Sequence, residues 1–402
     1  MKVGSETIFP AASPSQAERL QPRNAAVVPL APPPSRKSSL TLLSAALALP
    51  GVLPAHALAQ SAPEQSVVSL RYLDYRDWQP GADRMTVRSP SLYMLKPLSE
   101  SLALEGTVVY DAMSGASPIA FNTLSGASGL GVTDYRTAGD VKLTKWLDRY
   151  AIGIAAAYSH ERDYISRAGG LEFRTWTDDR NTTLALGVGF AHDHINPTDR
   201  DIDDGNRNAL DFLVGVTQAL NANAIVQSNL TYYTGHGYYS DPYKLGDQRP
   251  AHRRTFAWLT RFNQYVPAAD ATLRLAYRYL HDSFGDDSHM VEAAWFQPLP
   301  AAFAVTPLVR YYTQSAADFF YGPPLGNGFV PDQPYTPDNR LAAYGAFTVA
   351  LKLERQFGDG LSADLSLQYY QQRPGWRSFG SGSAGIDPFS ARWISVGITK
   401  SF

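Results

Sequence analysis

The dominant pattern in the chain has a period of two: apolar or aromatic residues alternate with small or polar ones from about residue 66 to the C-terminus. In residues 183–190 (TLALGVGF), Leu, Val and Phe occupy one set of alternate positions and Thr, Ala and Gly the other. Residues 150–158 and 361–370 repeat this arrangement. Successive side chains of a strand point to opposite faces, so the pattern predicts strands with one apolar face.

The pattern predicts about sixteen strands, at residues 66–77, 84–97, 101–111, 137–147, 149–161, 169–178, 182–194, 207–219, 224–236, 253–266, 271–282, 288–297, 302–314, 340–356, 361–373 and 387–402. Connectors alternate between short ones, such as Asp148-Arg149, and long polar ones, such as 111–134. A soluble sandwich also produces alternation, but it does not sort its connectors in this way. We therefore predict an all-β fold, a transmembrane antiparallel up-and-down β-barrel with short periplasmic turns and long extracellular loops.

The C-terminus supports this prediction independently. Residues 392–402 (RWISVGITKSF) alternate up to a final aromatic residue, Phe402. The segment resembles the last strand of Gram-negative outer-membrane barrels, which the barrel-assembly machinery reads as an assembly signal. Lys400 departs from the apolar positions of that signal, although its long side chain can reach the membrane interface.

A secretory signal peptide is predicted at the N-terminus. Arg36 and Lys37 precede an apolar run at 40–49, which is followed by Pro50 and then by small residues up to Ala59. This order is typical of signal peptides, and the run is too short to span a bilayer as a helix. We expect residues 1–59 to be a leader cleaved after Ala59, and residues 60–402 to form one barrel domain.

Composition narrows the class of protein further. The 402 residues include 35 Lys and Arg against 37 Asp and Glu, so the net charge of -2 offers no electrostatic basis for binding nucleic acid. The absence of Cys excludes a disulfide scaffold, a thiolate zinc site and a Cys nucleophile. A mean hydropathy of -0.23, with no apolar run of 18 residues, excludes a helical membrane protein and leaves a membrane barrel open.

A doubled tetrapeptide in the first long connector carries a resemblance to a known family. The sequence SGAS occurs at Ser114, Gly115, Ala116 and Ser117, and again at Ser125, Gly126, Ala127 and Ser128. The chain resembles a family of Gram-negative outer-membrane proteins of unknown function that carries this doubled segment after an early strand. The resemblance implies no established activity; it implies an envelope setting with redox proteins or small lipoproteins as partners. From the residues alone, the segment is either a plug or a flexible tip.

If the apolar face meets lipid, the other face lines the barrel interior. Its ionisable residues are Glu105, Lys142, Arg261, Arg274, Arg278, Glu292, Arg310, Lys352, Glu354 and Asp364. One interpretation is an aqueous pore whose basic side helps polar or anionic solutes to cross; the other is a set of ion pairs that brace a poorly conducting interior. Sixteen strands enclose a lumen wide enough for a channel, which favours the pore.

A divalent metal is a second hypothesis. The residues that suggest it are His192, His194, Asp199, Asp201 and Asp203, because imidazole and carboxylate groups are common metal ligands. The Asp spacing resembles that of a calcium loop, but Asp204 stands where such a loop needs Gly. The alternative is that polar residues simply collect in the longer loops. The sequence indicates no other cofactor.

These observations predict a non-enzymatic barrel, surrounded by outer-membrane lipid, that passes or docks small polar solutes. A hydrolase at the outer rim is one alternative, with residues 281–283 (HDS) or 192–194 (HDH) as its source of His and Asp. Adjacent strand residues point to opposite faces, so neither triplet forms a ready-made dyad. An adhesin or assembly scaffold acting through Tyr-rich loops is another. The solute and the oligomeric state stay open.

Overall fold

The computed structural model describes residues 60–115, 132–197, 205–244, 246–324 and 326–402. These residues form sixteen strands: β1 Val67–Gln79, β2 Ala82–Ser99, β3 Leu102–Gly115, β4 Val132–Trp146, β5 Tyr150–His160, β6 Tyr164–Trp176, β7 Thr182–Ile195, β8 Asn206–Asn221, β9 Ala224–Gly237, β10 His252–Val266, β11 Ala271–Asp282, β12 Asp287–Leu299, β13 Phe303–Gln314, β14 Tyr344–Gly358, β15 Leu361–Arg373 and β16 Phe389–Ser401. Three 3-10 turns lie at Pro267–Ala269, Asn339–Leu341 and Pro374–Trp376. Within the described ranges, no helix is long and apolar enough to cross a membrane.

The strands form one closed ring. Each pairs antiparallel with its neighbours in the chain, and β1 pairs with β16 from Val67↔Ser401 to Trp78↔Ser390. Closure leaves no strand with an unpaired edge. The predicted fold class, a closed antiparallel barrel of sixteen strands, is confirmed.

The two faces of the wall have opposite character. On β7, Leu184, Leu186 and Phe190 are exposed on the outer face, whereas Ala185 and Ala191 are buried on the inner face. The same phase continues into β16, whose outer-face residues Ile394, Val396 and Ile398 are exposed. Exposed large apolar side chains around a whole barrel match a hydrocarbon surrounding and would be unfavourable in water.

The connectors sort onto two ends of the barrel. One end, the short-turn end, carries connectors of two to five residues, such as 147–149, together with the start of β1 and the end of β16. The other, the long-loop end, carries the loops 238–251, 315–343 and 374–388. Three connectors at the long-loop end are nevertheless short, at 80–81, 161–163 and 283–286.

The structure corrects the boundaries of four strands by four or five residues. β3 ends at Gly115 rather than at 111, and β4 begins at Val132 rather than at 137, because the two strands pair up to Gly115↔Val132. β6 begins at Tyr164, five residues before the predicted start, because residues 164–168 already pair with both neighbouring strands, through Ile165↔His160 on β5 and Tyr164↔Ile195 on β7. β14 begins at Tyr344, four residues after its predicted start. Asp338 caps a 3-10 turn there by accepting a hydrogen bond from the Arg340 amide.

Replacing Phe402 with Ser is expected to lower assembly into the outer membrane several-fold, because Phe402 is the exposed aromatic residue that directly follows the closing strand. Phe402→Tyr, which keeps the ring, is the control. The measurement is the amount of heat-modifiable folded protein in the outer-membrane fraction. Equal amounts for Phe402→Ser and the unmodified chain would contradict the assembly role.

Val214→Arg is expected to destabilise the barrel in lipid by about 2–4 kcal/mol, because Val214 is exposed at the middle of the outer face of β8. Leu220→Arg, on the same face at the short-turn end, is expected to cost about 0–1 kcal/mol. Denaturant unfolding in liposomes measures both values. Equal costs at the two positions would contradict a lipid-facing outer surface.

Candidate functional site

Charged side chains on the inner face pair with one another, both along single strands and between strands. On one wall, Lys142 Nζ lies 3.1 Å from Glu172 Oε2 and 3.8 Å from Glu105 Oε1. Arg174 Nε lies 2.7 Å from Glu172 Oε1, and the Tyr93 hydroxyl donates to Glu105 over 3.0 Å. Each carboxylate therefore has a cation or a hydroxyl donor beside it.

The small inner face of β5 makes this arrangement feasible. Lys142 belongs to β4 and Glu172 to β6, so their ion pair must cross β5. The β5 residue in between is Gly153, and a Cβ there would lie 3.0 Å from Lys142 Cε. The run of Gly and Ala that the sequence shows on this strand thus leaves room for a lumenal ion pair.

Further lumenal ion pairs lie on β1 and on the strands from β12 to β15. The partners are Arg71 with Asp364 (Nη2–Oδ1 2.6 Å), Arg310 with Glu292 (Nε–Oε2 2.8 Å) and Lys352 with Glu354 (Nζ–Oε1 2.8 Å). All ten ionisable residues singled out from the sequence lie on the inner face, at the same alternate positions as the buried residues of their strands. Sequence reasoning missed Arg71, Glu172 and Arg174, although the same alternation phase could have located them.

β11 differs from the other charged strands. Arg274 and Arg278 both lie on its inner face, and neither has a salt bridge within the described ranges. The Arg274 guanidinium lies over the Phe296 ring, 5.0 Å from its centroid. β11 therefore contributes two cations that no described carboxylate neutralises directly.

Aromatic side chains fill part of the interior near both ends. The buried group nearer the long-loop end contains Tyr75, Tyr344, Tyr370, Phe389 and Trp393. The group at the short-turn end contains Tyr93, Trp146 and Trp176. The interior is therefore narrower at these levels than sixteen strands alone would suggest.

A network of buried charges joins two loops at the long-loop end. Asp338, fully buried, accepts a hydrogen bond from Arg249 Nη2 over 2.8 Å and lies 3.8 Å from Lys244 Nζ. Arg340 pairs with Asp338 and with Asp241, the latter over 2.5 Å, and Arg249 also pairs with Asp247 over 2.6 Å. The carboxylates 241, 247 and 338 thus balance the cations 244, 249 and 340. We call loops 238–251 and 315–343, joined by this network, the cap.

The electrostatics of the cap follow from its burial. Burial lowers the pKa of Arg249, but the carboxylates of Asp247 and Asp338 outweigh this and leave that pKa above its ordinary value. Burial raises the pKa of Asp247, and Arg249 opposes the rise. Backbone hydrogen bonds of 2.8 Å in both directions between Gln248 and Tyr335 fasten the two loops together. The cap is therefore a packed unit in which two loops are joined by backbone hydrogen bonds and by contacts between acidic and basic side chains.

The cap crosses the mouth of the barrel. Tyr243, in loop 238–251, donates a hydrogen bond of 2.6 Å to Asp163, in the β5–β6 connector. The same loop contacts Asp338, just before β14. The β5–β6 and β13–β14 connectors are half a turn apart in a ring of sixteen strands. Loop 238–251 therefore contacts connectors that arise from opposite sides of the long-loop end.

A second segment reaches across the short-turn end. Gln60 Nε2 donates to the Arg180 carbonyl over 3.0 Å and to Thr183 Oγ1 over 2.8 Å. Gln60 precedes β1, whereas Thr183 belongs to β7, six strands away around the ring. Ala62 packs against the aromatic group that contains Trp146. We call residues 60–65 the N-terminal strap.

The residues of the metal hypothesis are only partly described. His192 and His194 lie on the outer face of β7, where their Nδ1 atoms lie 2.8 Å from Asn208 Oδ1 and 3.0 Å from Asn206 Oδ1. Asp199, Asp201 and Asp203 fall within residues 198–204, outside the described ranges. Metal binding by this set stays a prediction.

A different acidic group forms through strand pairing. Asp134, Glu161 and Asp163 bring carboxylate oxygens within 4.8 Å of one another at the long-loop end. The hydroxyl of Tyr243 donates to Asp163, so the group is part of the hydrogen-bonded network beneath the cap. Sequence spacing carried no signal for it, because Asp134 and Glu161 meet only through the pairing of β4 with β5.

The two triplets considered for a hydrolase are split across the wall. His281 is exposed on the outer face, 3.0 Å from Asp287, whereas Asp282 is buried and pairs with Arg253. Asp193 is likewise buried, and Arg207 Nε donates to it over 2.9 Å. Neither triplet brings His and its adjacent Asp together, in agreement with the strand geometry expected from the sequence.

The SGAS segments lie mostly beyond the described residues. Ser114 and Gly115 end β3, while Ala116, Ser117 and the second copy at 125–128 fall within residues 116–131. Neither a plug nor a flexible tip is therefore tested for this loop.

Solved outer-membrane barrels resemble the fold at low sequence identity. CdiB from Acinetobacter baumannii has 10% identity and a TM-score of 0.47; the match covers 82% of this chain, which spans 60% of CdiB. Pseudomonas aeruginosa OccK2 (OpdF), in complex with glucuronate, has 12% identity and a TM-score of 0.44, over 84% of this chain and 98% of OccK2. A bacterial polysaccharide outer membrane secretin has 7% identity and a TM-score of 0.46, over 83% and 98%.

Among curated protein sequences, none matches this chain significantly. A family model does match, and it covers residues 39–393, which includes every strand from β1 to β15 and the first residues of β16. The resemblance to an outer-membrane family of unknown function is thereby confirmed, independently of the SGAS motif. The chain belongs to the DUF3570 family, described as a protein of unknown function.

Proposed function

We propose that this protein is a gated channel of the outer membrane that admits small polar solutes. The observation that carries the proposal is the polarity of the wall, with apolar side chains outside and ion pairs inside. Such a wall is compatible with lipid on one side and with water or a polar solute on the other. Short turns at one end and long loops at the other support an orientation with the short-turn end in the periplasm.

Gating is part of the proposal because chain segments cross both ends. The cap spans the long-loop end from Asp163 to Asp338, and the strap reaches from β1 to Thr183. Hydrogen bonds and ion pairs hold the two segments in place, and neither segment belongs to the hydrogen-bonded strands of the wall. Either can therefore move without breaking the ring of strands, and the barrel would conduct only when they do.

Replacing residues 239–250 with a two-residue Asn-Gly turn is expected to raise conductance several-fold, because the cap loses the loop that crosses the mouth. The wall should survive, since β9 ends at Gly237 and β10 begins at His252. Single-channel recordings in planar bilayers measure the effect.

Tyr243→Phe is the matched control for the loop replacement. It removes only the hydroxyl that donates to Asp163 and leaves the cap's ion pairs in place, so a smaller rise is expected. Identical conductance for the loop replacement and the unmodified protein would show that the cap is not the barrier. Silence from every folded variant would overturn the channel and favour a docking protein.

A chain that begins at residue 66 is expected to open more often than one that begins at residue 60, because it lacks the strap. Gln60→Ala, which removes the side-chain contacts to Arg180 and Thr183, should give part of the increase. Liposome swelling in a pentose solution measures the permeability. Equal swelling rates for the two chains would restrict any gate to the cap.

A further inference from the structure

We infer that Arg278 is a binding site for the carboxylate of a small organic acid inside the barrel. This inference names the solute class of the proposed channel and so rests on that function. Arg278 lies on the inner face of β11 and is 6% exposed. Its Nε and Nη1 atoms have no hydrogen-bond partner among the described residues.

The setting of Arg278 differs from that of the lumenal cations that form ion pairs. Arg71, Arg310, Lys142 and Lys352 each have a carboxylate within 3.1 Å. The positions paired with Arg278 in the ladder are instead Leu259 on β10 and Met290 on β12. Both are buried and neither carries a carboxylate.

A carboxylate on the neighbouring strand is already occupied. Glu292 lies two residues from Met290 on the inner face of β12, and Arg310 Nε donates to it over 2.8 Å. Arg310 is the residue paired with Glu292 in the β12–β13 ladder, so it competes directly for that carboxylate. Within the described ranges, the fold therefore leaves Arg278 without a counter-ion.

A second donor lies on the same row of the wall. Asn229 on β9 pairs with Leu259, which pairs with Arg278, so two strand spacings of about 5 Å separate the backbones of Asn229 and Arg278. Asn229 is buried, and its Nδ2 likewise has no acceptor. The side chains of Asn229 and Arg278, on either side of Leu259, thus lie on the inner face with N–H groups that have no acceptor among the described residues.

The chemistry of these groups selects the ligand. A guanidinium stays protonated in proteins and presents a planar fork that matches a carboxylate, and a buried charge without a partner is unfavourable. An anion that enters the lumen relieves that cost. The buried Leu259 and Met290 provide an apolar surface beside the fork. A carboxylate with an apolar body suits this setting better than inorganic phosphate, which would leave that surface uncovered.

The test is binding of sodium benzoate to the protein extracted from membranes in detergent, measured by calorimetry at constant ionic strength. We expect saturable binding, a loss of affinity of at least tenfold in Arg278→Gln, and a smaller loss in Arg278→Lys, which keeps the charge but not the fork. Arg167→Gln, on the exposed outer face of β6, changes the net charge equally and should bind as the unmodified protein does.

The thermal midpoint separates a ligand site from a structural role. Without benzoate, Arg278→Gln should melt at the same temperature as the unmodified protein or higher, because it removes an unpaired buried charge. Benzoate should raise the midpoint of the unmodified protein but not that of the variant. A lower midpoint for the ligand-free variant would assign Arg278 a structural partner and overturn the inference.

Two further results would overturn it. No saturable benzoate binding to the unmodified protein would remove the site, and binding of inorganic phosphate in preference to benzoate would refute the assigned ligand class. Binding in detergent does not require conduction, so a silent channel with intact benzoate binding would refute the proposed function alone.

Discussion

Closure of the hydrogen-bonded ladder between β1 and β16 is the constraint on which the rest of this structure depends. In hydrocarbon, an unpaired backbone group has no water to bond with, so a sheet must close on itself. Once it is closed, every strand has one face toward the surroundings and one toward the lumen. The outer face can then be apolar throughout, as on β7, and polar side chains must collect inside.

Polar side chains gathered in an interior must also neutralise one another. The wall achieves this by pairing cations and carboxylates across strands, as Lys142 and Glu172 do over Gly153. Removing one partner of a buried pair leaves an isolated charge and costs roughly 3–5 kcal/mol. The cap applies the same rule with three carboxylates and three cations. Arg278 has no carboxylate partner within the described residues, and the inferred ligand site follows from this.

Local sequence predicted the class and number of elements well, and their ends less well. The start of β6 was misjudged because residues 164–168 (YISRA) put a charged side chain, Arg167, on the outer face and so obscure the alternation. Pairing with β5 and β7 is what makes these residues part of the strand. The start of β14 was misjudged because Asp338 was available as a cap only after the loop had folded. The lumenal residues Arg71, Glu172 and Arg174 obey the alternation and were within reach of the same reasoning.

The sequence by itself determined that sixteen strands alternate, which side chains share a face, and at which end the long connectors lie, because a period of two is a local property of an extended chain. Only the tertiary structure decided which charges pair, that Tyr243 reaches Asp163, and that Gln60 reaches Thr183. Those contacts join residues 80 and 123 positions apart. They depend on the register and closure of the whole ring, which no local pattern specifies.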